Sequence, residues 1–444
     1  MSSFFGRRAV VVGGGIGGLS VAGALAGYFE QVDVLAACAQ SRPGTPRIDT
    51  HTACSPAASR HSVRFSRASS EILPKPGLSR WGSHRTSVTS VQMLVACRSG
   101  ISACRSSVRR GRLSSSYCDV GLWRSPISRC GPGAGSLRLC HLTDPRSGCG
   151  LTQRQDNRKR LRPIWSLDAS GRGALTVALL DSLGWQRPPV TEVGVDITYA
   201  TAVVQIPAGA MPDWKLVLTQ PDPPAVAANA VLVPIEDGRS IVTIVDRGSS
   251  PRLESWESFH AAFRQLITPT VYDALRHAKP LDGIRHYGFR ASVWKHFERL
   301  HSLPRGVLPI ADALCRFNPI HGQGMSSAAK QARLLHTVLG RAAAELDPIA
   351  AAQAGFMAGV ESVLQTPWSM STSADLAFPK TRGERPQNFE KGRQFEAALF
   401  RAVVADPIVH RAMVEVGQLL QTHDLLHEPH ITERIQAASA KAFA

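Results

Sequence analysis

The chain has no run of 18 or more apolar residues in its 444 positions, too little to span a bilayer as a helix. It also lacks a charged-then-apolar leader before its first strand. Neither a signal peptide nor a membrane span is therefore expected, and a cytoplasmic location is the expectation. Outside one segment, cysteine is nearly missing: eight of the nine lie between residues 37 and 166, and only Cys315 lies elsewhere. Acid is scarce in that same segment, which holds 5 of the 34 Asp+Glu but 22 of the 51 Lys+Arg, together with 23 serines. The net charge of +17 is thus the property of one block, and the rest of the chain is balanced. The block has no C-x2-C pair, so no metal site is expected. It has no aromatic interleaving or regular basic face, so no nucleic-acid partner is expected either. Its cysteine, tryptophan and leucine content is high for a disordered arm.

What the block does resemble is a reading in the wrong frame, since Arg, Ser, Cys, Gly and Pro are what the shifted frame of a GC-rich gene yields. Read two nucleotides later, codons for Ile48–Ser59 permit Arg-His-x-His-Gly-Leu-Leu-Ala-Gly-Gly-Leu. The same shift over Arg162–Ser166 permits x-Ala-Asp-Leu-Val, a buried strand leading into Asp168. The hypothesis is a frameshift near Ala36 with a compensating one near Leu167. The coding DNA tests it: without single-nucleotide indels near those codons that restore a low-cysteine reading, the idea fails.

The stretch Ala9–Ala36 has the order strand, glycine turn, helix, strand. Ala9–Val12 is apolar without interruption, as in a strand buried on both faces of a parallel sheet. Gly13, Gly15 and Gly18 have the G-x-G-x-x-G spacing, which serves a tight turn, a close approach of backbone to pyrophosphate, and close packing of helix on strand. A purely structural glycine turn is the alternative. Leu19–Ala26 reads as a helix of small residues, and Val32–Leu35 as the second strand.

Beyond the block, Asp168–Gly173 (DASGRG) follows a strand, and Leu175–Leu183 reads as a helix. Val193–Ile206, Trp214–Leu218, Ala230–Pro234 and Ser240–Val245 are short β-rich runs with turn residues between them, the pattern of antiparallel strands. Ser255–Leu266 and Pro269–Arg276 read as helices and Gly288–Trp294 as a strand. Gly306–Asp312 is an apolar strand ending in an acid, followed by the loop Asn318–Met325 (NPIHGQGM) and a helix over Ser326–Leu339. Pro348–Leu364 and Phe389–Leu420 read as long helices, the latter broken at Asp406-Pro407, and form a cap or an oligomer surface.

Three stretches, GGGIGGLSVAGAL, DASGRG and LPIADALCRFNPIHGQGM, resemble in composition and order the three fingerprints of FAD-dependent monooxygenases of the para-hydroxybenzoate hydroxylase type. The resemblance covers Ser2–Leu35 and Leu167 to about Leu420. It implies an α/β fold, in which a Rossmann-like FAD-binding domain with a parallel sheet is joined by an antiparallel-sheet substrate domain and a helical C-terminal region. Residues 1–36, 167–190 and 301–345 would form the FAD-binding domain around the aberrant block 37–166, with 191–300 as the substrate domain and 346–444 as the helical region. Gly13, Gly15, Ile16, Gly17 and Gly18 would lie at the pyrophosphate, Asp312 at the ribityl hydroxyls, and Asp168 at the position of the middle-motif acid. Pro319, Gly322, Gly324 and Met325 would bring a loop and helix N-terminus to the pyrimidine edge of the flavin. The implied chemistry uses NAD(P)H as reductant and oxygen as co-substrate, and passes oxygen from a flavin hydroperoxide to a small apolar or aromatic substrate. No catalytic residue is assigned. Asp312 could instead cap a turn, and His321 could be solvated or packed. Tyr199, Trp214, Tyr287 and Trp294 could line the substrate pocket or belong to the core.

Two departures stand out. Ala36 occupies the end of the second strand, where an acid is expected to bond the adenosine ribose, and Ala311 stands where the family has glycine beside Asp312. A second implication is therefore a non-functional or partly folded product of a frameshifted gene, without stable FAD.

Overall fold

A computed structural model of the chain describes residues 5–37, 58–65, 91–97, 100–106, 165–171, 174–207, 215–247 and 252–441. Most of the block for which the out-of-frame reading is made, and also Trp214, lie outside them. The chain divides into two compact units. One comprises Met1–Val190, Trp294–Arg316 and Gly324–Gln365, the other Thr191–Val293, Phe317–Gln323 and Thr366–Ala444.

The first unit opens with β1 (Gly6–Val12), α1 (Ile16–Leu25), β2 (Phe29–Ala37), β3 (Ala58–Phe65), β4 (Val91–Cys97), β5 (Gly100–Ser106), β6 (Trp165–Asp168) and α2 (Ala174–Ser182). The second unit then contributes β7 (Val190–Gln205), β8 (Val217–Leu218), β9 (Asn229–Pro234), β10 (Arg239–Arg247), α3 (Trp256–Ala262), α4 (Thr270–Ala274), β11 (Lys279–Pro280) and most of β12 (Arg285–Lys295). The chain returns to the first unit for β13 (Val307–Pro309), β14 (Cys315–Arg316) and α5 (Gly324–Ala342). It continues through α6 (Pro348–Leu376) to α7 (Phe389–Ala405), α8 (Pro407–Gly417) and α9 (Pro429–Lys441).

In the first unit, the sheet order is β13-β6-β1-β2-β3-β4-β5. The four strands β13, β6, β1 and β2 run parallel, while β3, β4 and β5 extend the sheet antiparallel from β2. The sheet is therefore mixed, and three of its strands fall in a segment whose sequence shows no alternation. Ala9, Val11, Val32, Trp165, Leu167 and Leu308 of the parallel strands have no exposed surface. That explains the unbroken apolar run Ala9–Val12 of β1, a central strand with both faces covered, whereas β2 buries Asp33 among its apolar residues. The register aligns Leu35 with Val12, Val12 with Asp168, and Asp168 with Pro309. The C-terminal ends of β1, β6 and β13 thus lie level, at the edge where open parallel sheets bind their ligands.

In the second unit, the strands lie in the order β12-β7-β10-β9-β8, antiparallel from β7 through β8. Alternation divides the sheet. Ala200, Ala202, Val242 and Ile244 point into a core closed by Phe259 and Phe263. Their neighbours Thr201, Val203, Ile241 and Thr243 form an opposite face that is only half buried. Helix α3 starts at a capping box in which the Ser255 hydroxyl accepts from the Ser258 amide at 3.1 Å. It ends at Ala262 and tightens into a 3-10 turn over Phe263–Gln265, short of the expected Leu266. Helix α6 runs past Leu364 with Pro367 inside it, its far half buried at Thr366, Trp368, Ser371, Thr372 and Asp375. Such packing outweighs the missing hydrogen bond at proline. Helices α7 to α9 share a separate apolar cluster that includes Leu399, Ala402, Val409, Val416, Ile431 and Ile435.

Candidate functional site

Three stretches distant in sequence meet at the C-terminal edge of the first unit's sheet. Gly13 has φ +127°, and a Cβ on it would lie 2.1 Å from the Ala169 carbonyl oxygen, so the β1–α1 turn and the turn after β6 approach to a distance only glycine allows. A Cβ on Gly18 would lie 1.9 Å from the Gly13 oxygen, and one on Gly17 would lie 2.6 Å from the Ala311 Cβ. Gly15 differs, because a Cβ there meets no atom of the described residues within 4 Å, and none of their contacts demands glycine at that position. Its open side lies at the N-terminus of α1, where no side chain among the described residues caps the helix and no acid sits in the first turn. Uncapped amides and the positive end of the helix dipole suit a phosphate, so a pyrophosphate group fits the residues present. Ile16, next in line, is 41% exposed.

Asp168 is buried, and its carboxylate is engaged on both oxygens. Oδ1 accepts from the Ser170 amide at 3.0 Å and the Ser170 hydroxyl at 2.5 Å, while Oδ2 accepts from the Thr176 amide and hydroxyl at 3.0 and 2.8 Å. The acid thereby shapes the turn that meets Gly13 and ties down the start of α2. Ala311 adopts φ +55°, the left-handed region that its glycine counterpart would enter without strain. Its amide donates to Gln331 Oε1 of α5 at 2.8 Å, and Gln331 in turn donates to the Ser327 hydroxyl at 3.3 Å. Asp312 follows with its side chain open to solvent. Crowding by protein raises its carboxyl pKa, while the charges of Arg316 and Lys295 oppose the rise. Burial, then the charge of Arg316, likewise lowers the pKa of Lys295, whose Nζ lies 3.5 Å from the Ala313 carbonyl. The acid nearest the end of β2 is Asp33, which is buried and taken by Arg8 and Gln31.

Within the second unit, the loop after Phe317 is held by a buried polar network that sequence patterns did not single out. Asn318 is fully buried. Its Oδ1 accepts from the Tyr199 hydroxyl at 2.8 Å and the Ile320 amide at 3.2 Å, and its Nδ2 donates to both oxygens of Asp375 at 2.9 and 3.0 Å. Arg247 donates to the same carboxylate at 2.7 Å and stacks its guanidinium over Phe378. His321 Nε2 lies 3.9 Å from Asp375. Burial alone would raise the Asp375 carboxyl, but His321, Arg247 and Asn318 together hold it below the ordinary value. Burial, reinforced by the Asp375 charge, drives the Tyr199 phenol pKa far up, so it stays protonated as a donor. Gly322 closes the loop at φ +68°, and Gln323 Nε2 donates to the Gly417 carbonyl at 3.3 Å. Pro319 is exposed on this loop. In the first unit, Gly324 opens α5 and Met325 beside it is 53% exposed. Of the aromatics expected at a pocket, Tyr199 serves the network, Tyr287 is exposed, and Trp294 is buried against His296. A sequence clue to Asp375 did exist, for it is the only charged residue between Glu361 and Lys380.

No family model matches the chain. Among curated proteins it is 26% identical over 226 residues to Protein Rv3254 of Mycobacterium tuberculosis (strain ATCC 25618 / H37Rv), a match covering 49% of this chain and 45% of that protein. The match therefore spans less than half the length of that relative. Three solved structures that it resembles are flavoproteins by their descriptions. A flavoprotein/dehydrogenase from Cytophaga hutchinsonii aligns at TM-score 0.47 and 12% identity, over 98% of both chains. Klebsiella pneumoniae HpxO complexed with FAD and uric acid aligns at 0.43 and 15%, over 97% of this chain and 96% of that one. The flavin-dependent halogenase CmlS aligns at 0.44 and 15%, over 89% and 72%. Likeness at these scores assigns no function by itself. Among the described residues, no group of three or more His, Cys, Asp or Glu could hold a metal, and no helix is long and apolar enough to cross a membrane.

Proposed function

We propose that the chain is an FAD-dependent oxidoreductase of the monooxygenase type, acting on a small apolar or aromatic substrate with oxygen and NAD(P)H. The observation that carries this reading is the meeting of Gly13, Ala169 and Ala311 at one sheet edge, with Gly15 facing open space at an uncapped helix. In this reading the amides around Gly13, Gly15, Ile16, Gly17 and Gly18 take the pyrophosphate, and Asp312 takes the ribityl hydroxyls. Asp168 holds the turn against which Gly13 packs. Pro319, Gly322, Gly324 and Met325 keep the assignment given them by resemblance, beside the isoalloxazine ring. When bound, FAD supplies hydride acceptance and oxygen activation. The chain's own residues bind and orient it. The test is purification of the full chain with added FAD. One flavin per chain, retained through gel filtration, is expected, followed by bleaching of the flavin colour on addition of NADH or NADPH.

A second reading, a frameshifted product without stable FAD, draws on Trp165. Its indole Nε1 is buried in the middle of the parallel sheet with no hydrogen-bond partner among the described residues, a defect costing about 1–3 kcal/mol. The same purification separates the two: a chain that elutes colourless at saturating FAD, with indels near codons 36 and 167 in its DNA, establishes the second.

A further inference from the structure

The second unit contains a cavity of about 370 Å³ on the Ile244 face of its sheet, away from the half-buried face around Thr201 and Thr243. Its size falls within the range of small-molecule sites. Among the described residues, Asp246 and Arg252 are the charged ones on its lining, which also includes Gln265, His286, Ile244 and Leu253. Several polar atoms here have no protein partner. Asp246 Oδ1 accepts from the Arg247 amide at 2.8 Å, but Asp246 Oδ2 is shut from water and bonded to nothing among the described residues. The same holds for both ring nitrogens of His286. Burial, then the neighbouring Arg252, lowers the His286 pKa, with Glu254 opposing. Its imidazole is thus neutral near pH 7 and offers one donor and one acceptor. A buried carboxylate oxygen without a donor calls for a cation or a charged N–H group. Arg252, exposed, offers a guanidinium fork suited to a carboxylate. Ile244 and Leu253 leave an apolar wall between these demands.

We propose that this cavity binds a small zwitterion, an amine that also bears a carboxylate and an apolar group, with its ammonium on Asp246 and its carboxylate on Arg252. Asp246, Arg252 and His286 belong neither to the glycine turn nor to the Asn318 network; Tyr199, also on the lining, is shared with that network, where its hydroxyl donates to Asn318.

Isothermal titration calorimetry on the full chain tests this with L-phenylalanine as probe, and with phenethylamine and 3-phenylpropionate as analogues each lacking one charged group. Saturable binding of L-phenylalanine is expected, with each analogue at least about tenfold weaker. Asp246→Asn should weaken L-phenylalanine and phenethylamine about tenfold or more and leave 3-phenylpropionate unchanged. Arg252→Gln should do the reverse with the two analogues. No saturable heat from L-phenylalanine at millimolar concentration overturns the proposal, and so does equal binding by the wild type and both variants. Should Asp246→Asn lose its fold, as circular dichroism would show, Arg252→Gln decides alone, since its side chain is exposed. Retained binding of L-phenylalanine in that variant then overturns the proposal.

Discussion

The first two glycines of the G-x-G-x-x-G turn should fail in opposite ways when each receives a single methyl group. In Gly13→Ala, the new Cβ would lie 2.1 Å from the Ala169 oxygen and 2.5 Å from its carbonyl carbon, both backbone atoms that cannot rotate away. The backbone there has φ +127°, which L-residues reach only with strain of about 1–3 kcal/mol. Overpacking adds about 1–3 kcal/mol more. The sum, on the order of 2–6 kcal/mol, is a large part of a typical folding free energy and corresponds to a fall in melting temperature on the order of 10 °C. In Gly15→Ala, no atom of the described residues lies within 4 Å and φ is −73°. The fold then loses at most about 1 kcal/mol, from the weaker N-cap preference of alanine. Cofactor affinity should nevertheless collapse, because the methyl group enters the space assigned to the pyrophosphate. Differential scanning fluorimetry without FAD, and FAD titration by flavin fluorescence, read the two effects separately. A Gly13→Ala protein that melts like wild type refutes the close approach of the two turns. A Gly15→Ala protein that binds FAD as tightly as wild type refutes the placement of the phosphates.

Further predictions concern packing and charge. Gly17→Ala should cost about 1–3 kcal/mol through its 2.6 Å approach to the Ala311 methyl. Ala311→Gly in the same chain should restore most of that loss, read as the denaturant midpoint, because it removes the clashing atom and relaxes the φ of +55°. Asp375→Asn should destabilise the second unit by about 3–5 kcal/mol, since Arg247 (7% exposed) would lose its buried counter-ion. Adding Arg247→Met should recover part of that stability, and a double-mutant cycle by urea unfolding measures the coupling. Because the Asp375 carboxyl pKa is depressed in the fold, its contribution is present above the usual carboxylate range and is lost as pH falls through the lower folded value. Acid titration followed by tryptophan fluorescence should therefore show loss of stability below about pH 4, and Asp375→Asn should flatten that dependence.

Local order was legible in the sequence wherever one physical rule acted alone. The uninterrupted apolar run Ala9–Val12 could only be a strand covered on both faces, and the spacing Gly13, Gly15, Gly18 marked a turn that needs missing side chains. Asp406-Pro407 marked a helix break, and the structure begins α8 there with the Asp406 carboxylate accepting from the Ile408 and Val409 amides. The sequence alone could not separate the three glycines by cause. Among the described residues, Gly13 and Gly18 are required by atoms of their own unit, whereas Gly15 is free of them, and only the folded positions of the Ala169 and Gly13 carbonyls reveal that difference. Nor could it show that the Asp168 carboxylate is spent on Ser170 and Thr176. The network joining Tyr199, Arg247, Asn318 and Asp375 draws on positions up to 176 residues apart. Periodicity reports which face of an element is buried, but a buried ion pair between distant elements leaves no periodic trace. Such a pair exists only once the second unit's sheet, loop and α6 have packed and a lone carboxylate in that interior needs a partner.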